Sequence, residues 1–188
     1  MACSQMPRSY QLQRRADGVA QTRRRIVDAA VALHTTLGPA RTSLAAVAAR
    51  AGVQRHTLYA HFPDRRALFA ACSAHWRQLH PLPDAAPWGS LEEALVALYR
   101  WYEEVEDDLA LFRRDMQLDD DVRELQEAFG RQLADVRDTL AGTGSALRRA
   151  AIGHALQFET WRSLRHEGLS PGEAVRVMLG FVAGVDRR

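Results

Sequence analysis

The chain has no lysine and no asparagine, so all 25 of its basic residues are arginines. It has only two cysteines, Cys3 and Cys72. That is too few for a disulfide framework, and no Cys/His spacing suggests zinc. A reducing cytoplasm is the expected compartment, with no metal and no cofactor. No stretch approaches the ~20 apolar residues of a membrane span, so no membrane partner is expected. Residues 1–21 hold no apolar run long enough for a secretory signal. No segment alternates apolar and polar residues between hairpin turns, which removes β architectures. Catalytic patterns are missing too. Gly142 and Gly144 follow no strand and make no phosphate loop. The acid-rich stretch 103–108 reads as a solvated face, and no nucleophile stands at a telling spacing from a base. No catalytic residue is nominated, and an enzyme is not expected.

What is present is apolar content, helical periodicity and polarised charge. Hydrophobic residues make up 47% of the 188, enough for a real core and against wholesale disorder. The abundant alanine and the arginine-only basicity suggest a GC-rich, bacterial coding genome. The net charge of +2 conceals a division. Residues 1–66 carry eleven arginines against Asp17, Asp28 and Asp64, a net of +8. Residues 67–188 carry fourteen arginines against twenty acids, a net of −6. A basic end beside an acidic body is the footprint of an anionic partner held at one end. A basic tail with no partner is the plain alternative.

Residues 1–20 are polar, rich in Arg and Gln, and aperiodic, and are expected to form a flexible arm. From Thr22 a helical stripe begins, with Ile26, Ala29, Ala30, Leu33 and Leu37, until Gly38-Pro39 stops it. Thr42 or Ser43 can cap a second helix, which Gly52 closes. A third helix is expected over about 54–62 and a fourth from Pro63-Asp64 onward. The proline-rich segment 80–89 is the best break between two lobes. Beyond it come helices from Ser90, around 109–118, from Asp119–Asp121 to about 140, over 145–166, and from Ser170 to the end. Ser90 with Glu93 and Ser170 with Glu173 have the spacing of capping boxes. The expected fold is all-α with about nine helices: an arm (1–20), a first helical domain (21–66) and a second, larger helical domain (67–188).

Residues 44–62 have the layout of a helix-turn-helix. Gln54, Arg55, His56 and Thr57 open the third helix, the part that reaches base edges in the major groove. Arg pairs with guanine, Gln with adenine, and Thr meets a thymine methyl. Tyr59 and His61 lie further along, where a hydroxyl and a ring N–H can hold phosphates. Thr42 and Ser43, at the start of the second helix, are placed for a phosphate, as are Arg65 and the basic run 23–25, with Arg25 nominated. Leu58 and Phe62 belong to the core.

Residues 22–72 resemble the N-terminal domain of the TetR family of transcriptional regulators. The resemblance rests on 22–30 (Thr-Arg-Arg-Arg-Ile-Val-Asp-Ala-Ala), Thr42-Ser43-Leu44, Ala51-Gly52-Val53 and Thr57-Leu58-Tyr59-Ala60-His61-Phe62. It covers about the first 40% of the chain. His56 stands where the family often has glycine or a small residue, so base preference is expected to differ. Arg65 and Arg66 replace a common Lys and Glu. The resemblance implies a homodimer on a double-stranded, near-palindromic DNA operator, most often a repressor released by a small molecule. A helical interaction or ligand-binding module with an inactive reading head is the alternative.

For the second lobe, Tyr102, Phe112, Met116, His154, Phe158 and Trp161 are the candidate lining of an apolar effector pocket with a few polar handles. Val177, Gly180, Phe181 and Gly184 on the last helix are the candidate dimer contacts, because small residues four apart let another helix approach closely. Packing within the core accounts for the same residues without a ligand or partner.

Overall fold

Helix formation begins at Arg8, well inside the expected arm. In this computed structural model, which describes residues 8–83 and 88–185 with side chains from residue 12 onward, α1 runs over Arg8–Leu37. Residues 12–21 are exposed throughout. They are helical by intrinsic preference, since Leu, Gln, Arg and Ala are strong helix formers, rather than by burial. Residues 1–7 of the expected arm and 84–87 of the expected break lie outside the described residues.

The elements that follow are a 3-10 turn at Pro39–Arg41, α2 (Leu44–Ala51), α3 (Arg55–His61), α4 (Arg65–Leu79), α5 (Leu91–Glu104), α6 (Glu106–Asp115), α7 (Asp120–Ala141), α8 (Ala146–Ala155), α9 (Phe158–His166) and α10 (Pro171–Val185). The described residues contain no strand. The chain divides into two units, Met1–Leu79 and His80–Arg188. Helix α4 packs on α1, so the first unit extends beyond residue 66 to the end of α4.

In the first unit Ile26 and Ala30 of α1, Val47 of α2, Leu58 and Phe62 around α3, and Leu68 and Phe69 of α4 form the core. The turn between α2 and α3 depends on one glycine. Gly52 has φ 65 and ψ 38, the left-handed conformation that closes a helix. A Cβ there would also come within 3.0 Å of the Arg25 guanidinium. Gly52→Ala is therefore expected to cost about 1–2 kcal/mol from the left-handed backbone alone, read as a lower midpoint in urea unfolding. No change in midpoint would contradict this account of the turn.

The second unit buries Leu95, Leu98, Tyr99 and Tyr102 of α5 against Ile152, Leu156, Phe158 and Trp161. The helix expected over 145–166 is two helices, α8 and α9, which is why ten helices are present among the described residues and not nine. The carbonyls freed at the end of α8 each receive a hydroxyl. Thr160 donates to His154 O at 2.7 Å, Tyr99 to Ala155 O at 2.8 Å, and Tyr102 to Leu156 O at 2.8 Å. Buried carbonyls without helical partners need such donors. Both expected caps form: Ser90 accepts from Glu93 N, and Ser170 and Glu173 bond reciprocally. Those bonds hold the Glu173 carboxyl below its ordinary value. Among the described residues no helix is long and apolar enough to cross a membrane.

Candidate nucleic-acid interface

Helix α3 buries Leu58, and the residue after the helix, Phe62, is buried too. The pair pins one face of α3 and turns the other outward. Gln54, Arg55, His56 and Tyr59 are exposed, and Thr57 and His61 are half-buried. Gln54 caps the helix through its backbone, with no side-chain cap bond. His56 Nε2 and Thr57 Oγ1 lie 3.3 Å apart. A seven-residue helix thus presents side chains able to donate to, and accept from, base edges and phosphates along one side.

The flanking candidates divide. Ser43 is exposed and caps α2, accepting from Ala46 N at 3.1 Å. Thr42 does not join it on the surface. It is buried, and its hydroxyl donates to Gly38 O at 2.9 Å, so it holds the turn before α2. Arg25 donates to the carbonyls of Ala51 and Gly52, closing α2 onto α1. Arg65 donates to Pro39 O at 3.1 Å, tying α4 to the 3-10 turn. Arg23, which the sequence pattern does not set apart from its neighbours, lies with its guanidinium 4.8 Å from the Phe62 ring centre, an attractive cation–π contact. These arginines stiffen the reading head as well as charging it.

Cys72 lies beneath this head, 2% exposed. Its thiol donates to Phe69 O and lies 3.2 Å from His34 Nδ1. Burial pushes its pKa up from 9.0 to about 12, which disfavours the thiolate that redox chemistry needs.

In the second unit the effector candidates also separate. Tyr102, Phe158 and Trp161 form a buried cluster, with ring centres 5.3 Å (Tyr102–Phe158), 5.7 Å (Tyr102–Trp161) and 5.6 Å (Phe158–Trp161) apart. Phe112 is buried and Met116 half-buried at the end of α6. The Trp161 Nε1 donor is buried without a hydrogen-bond partner. His154 does not belong to this group. It is exposed on α8 with its ring 5.8 Å from that of Phe181. The break after Ala155 removes the single-helix register that would align it with Phe158 and Trp161. Tyr99, which helical spacing does not single out, is buried with the cluster.

Val177, Gly180, Phe181 and Gly184 are all exposed on α10. Leu147 is exposed on the neighbouring α8. A Cβ built on Gly180 or Gly184 would meet nothing within 4 Å.

Burial raises the Tyr99 and Tyr102 hydroxyls above their ordinary 10.0 and the Cys72 thiol above 9.0. The unfolded chain therefore releases these protons first as pH rises. Stability is fully present below about pH 9 and falls progressively above it, by up to about 1.4 kcal/mol per pH unit per group. Urea midpoints measured from pH 8 to about pH 11 check this; a flat profile would contradict it.

Residues 26–72 match the family model described as bacterial regulatory proteins, tetR family. Among solved structures the chain is similar to a TetR-like transcriptional regulator from Rhodococcus sp. RHA1, with 21% identity and a TM-score of 0.58 over 95% of this chain and 96% of that one. It is also similar to the multidrug binding protein EbrR complexed with imidazole, with 20% identity and a TM-score of 0.59 over 95% and 94%. A third similar structure is NalD, the secondary repressor of the MexAB-OprM multidrug efflux pump in Pseudomonas aeruginosa, with 23% identity and a TM-score of 0.58 over 88% and 96%. No curated protein matches the chain. At such identities the structural likeness establishes the fold, and the helix-turn-helix segment carries the family likeness. The described residues thus form an all-helical molecule with the fold of these regulators. Its helix-turn-helix segment, residues 26–72, is similar to that of the bacterial regulatory proteins of the tetR family.

Proposed function

We propose that the chain is a cytoplasmic, homodimeric repressor that binds a near-palindromic operator through α3 and leaves it when a small apolar molecule binds the second unit. The observation that carries this reading is the outward polar side of α3, Gln54 to Tyr59, anchored by buried Leu58 and Phe62. Gln54, Arg55, His56 and Thr57 read base edges, while Tyr59, His61 and Ser43 hold phosphates. The open apolar face of α8 and α10 supports a two-fold contact with a second copy. Two reading helices about 34–36 Å apart, or a multiple of that, then meet successive turns of one DNA face.

The effector reading rests on the unpaired Trp161 N–H inside an aromatic cluster. A buried donor without a partner costs about 1–3 kcal/mol, and a ligand acceptor would recover part of it. Phe112 and Met116 supply adjacent apolar surface. A ligand that favours one arrangement of the dimer shifts the population away from the DNA-competent one by its difference in affinity for the two. No reaction is assigned to the chain.

Selection from a random duplex pool at near-physiological salt tests the reading. A near-palindromic site is expected to be enriched. No enrichment by the folded protein would reduce the chain to a helical binding module.

A further inference from the structure

Helix α1 is 30 residues long, yet its first buried residues are Ile26 and Val27. The stretch from Arg8 to Gln21 adds about 21 Å of helix at 1.5 Å per residue. Its described side chains, from Leu12 to Gln21, are all exposed. An exposed helix of this length without a burial role within its unit calls for a partner.

Where the extension leaves the unit is fixed by two contacts. Arg25 reaches the carbonyls of Ala51 and Gly52 at the turn between α2 and α3. Arg23 stacks on Phe62, at the far end of α3. The extension therefore departs from the reading head itself. Its charge is one-sided, since residues 14–25 hold five arginines against Asp17 alone. Arg14, Gly18, Gln21 and Arg25 follow one another at helical spacing along one stripe, with Arg15 and Thr22 beside it. That stripe is the one whose last member touches Gly52.

We propose that this extension is a second DNA-contacting element, in which Arg14 and Arg15 bind the phosphate backbone flanking the base pairs read by α3. About 21 Å of helix spans roughly six base pairs at about 3.4 Å each. Exposed Leu12 and Val19 continue the register of Ile26 on a different face. Two apolar side chains are too few to seat a helix on a protein surface, whereas the charge suits a polyanion. The proposal rests on the DNA-binding reading and extends it beyond the recognition helix.

The test compares wild type with Arg14→Gln/Arg15→Gln, a pair of exposed sites where glutamine preserves helix propensity. Affinity is measured against salt on the selected operator and on random-sequence duplex, and the operator complex is footprinted with hydroxyl radicals. The slope of log K against log salt is expected to fall by about two for each bound copy, and so by about four for a dimer, at roughly 0.9 for each phosphate left without its arginine. Affinity at near-physiological salt should drop roughly tenfold for each bound copy. Protection of about six flanking base pairs is expected to disappear, with the preferred sequence unchanged. Unchanged slope and footprint with operator binding retained would overturn the proposal and leave the regulator reading intact. If no operator is selected, the regulator reading fails alone, and the slope on random duplex still decides the extension. Self-association altered by Leu12→Ser, with no change in slope, would assign the helix to a protein partner and overturn the proposal as well.

Discussion

Thr57→Ala/Tyr59→Ala is expected to reduce operator affinity by roughly 100-fold or more while leaving the fold intact. Tyr59 is 42% exposed and Thr57 half-buried, whereas the residues that hold α3 in place, Leu58 and Phe62, are each 1% exposed. The substitutions therefore remove groups that face DNA without opening the core. A hydrogen bond to a base or phosphate is worth about 1–3 kcal/mol, and removing two multiplies the effect on affinity. Circular dichroism and the urea midpoint should stay close to wild type. Binding by fluorescence anisotropy should show the full loss on the selected operator and a smaller one on random duplex, where only the Tyr59 phosphate contact is lost. Equal losses on both would mean that these side chains position the protein without reading sequence.

The second large effect concerns assembly. Phe181→Glu is expected to convert the protein from a dimer to a monomer of 21.0 kDa in light scattering. Operator binding should weaken by roughly 100-fold or more, because a monomer holds only one half-site. Phe181 is 45% exposed beside Val177 at 44% and Leu147 at 57%, and Gly180 and Gly184 leave open space for another backbone. A carboxylate buried there without a partner opposes association strongly. Since the residue is exposed on the single chain, the variant should fold. A variant that stays dimeric would move the interface away from α8 and α10.

Much of this fold is legible in the sequence because helices announce their ends. Gly52, Ser90 with Glu93, and Ser170 with Glu173 are local signals, and each marks a real helix end. The reading head is legible for the same reason, since Leu58 and Phe62 have to point inward and the polar residues between them have to point out. Three features are not legible. The extension of α1 lacks a buried stripe, so periodicity does not reveal a helix built on propensity. The break between α8 and α9 contains neither proline nor glycine at 156–157. It is stabilised by hydroxyls of Tyr99 and Tyr102, 56 and 54 residues away in sequence. That distant cause also places His154 against Phe181 and outside the aromatic cluster. Thr42 stands beside a helix start, but Ser43 is the cap and Thr42 bonds back to Gly38. Neighbouring hydroxyls of the same type cannot be told apart without the turn geometry.

The central claim is that two copies read two half-sites on one face of DNA, and helical phasing tests it most directly. The affinity of the protein is measured for its selected operator and for the same operator with about five base pairs inserted at the centre. Such an insertion turns one half-site by about half a helical turn, to the opposite face. A loss of roughly 100-fold or more is predicted. Equal affinity for the original and the lengthened operator would contradict the account, because each half-site would then be bound alone.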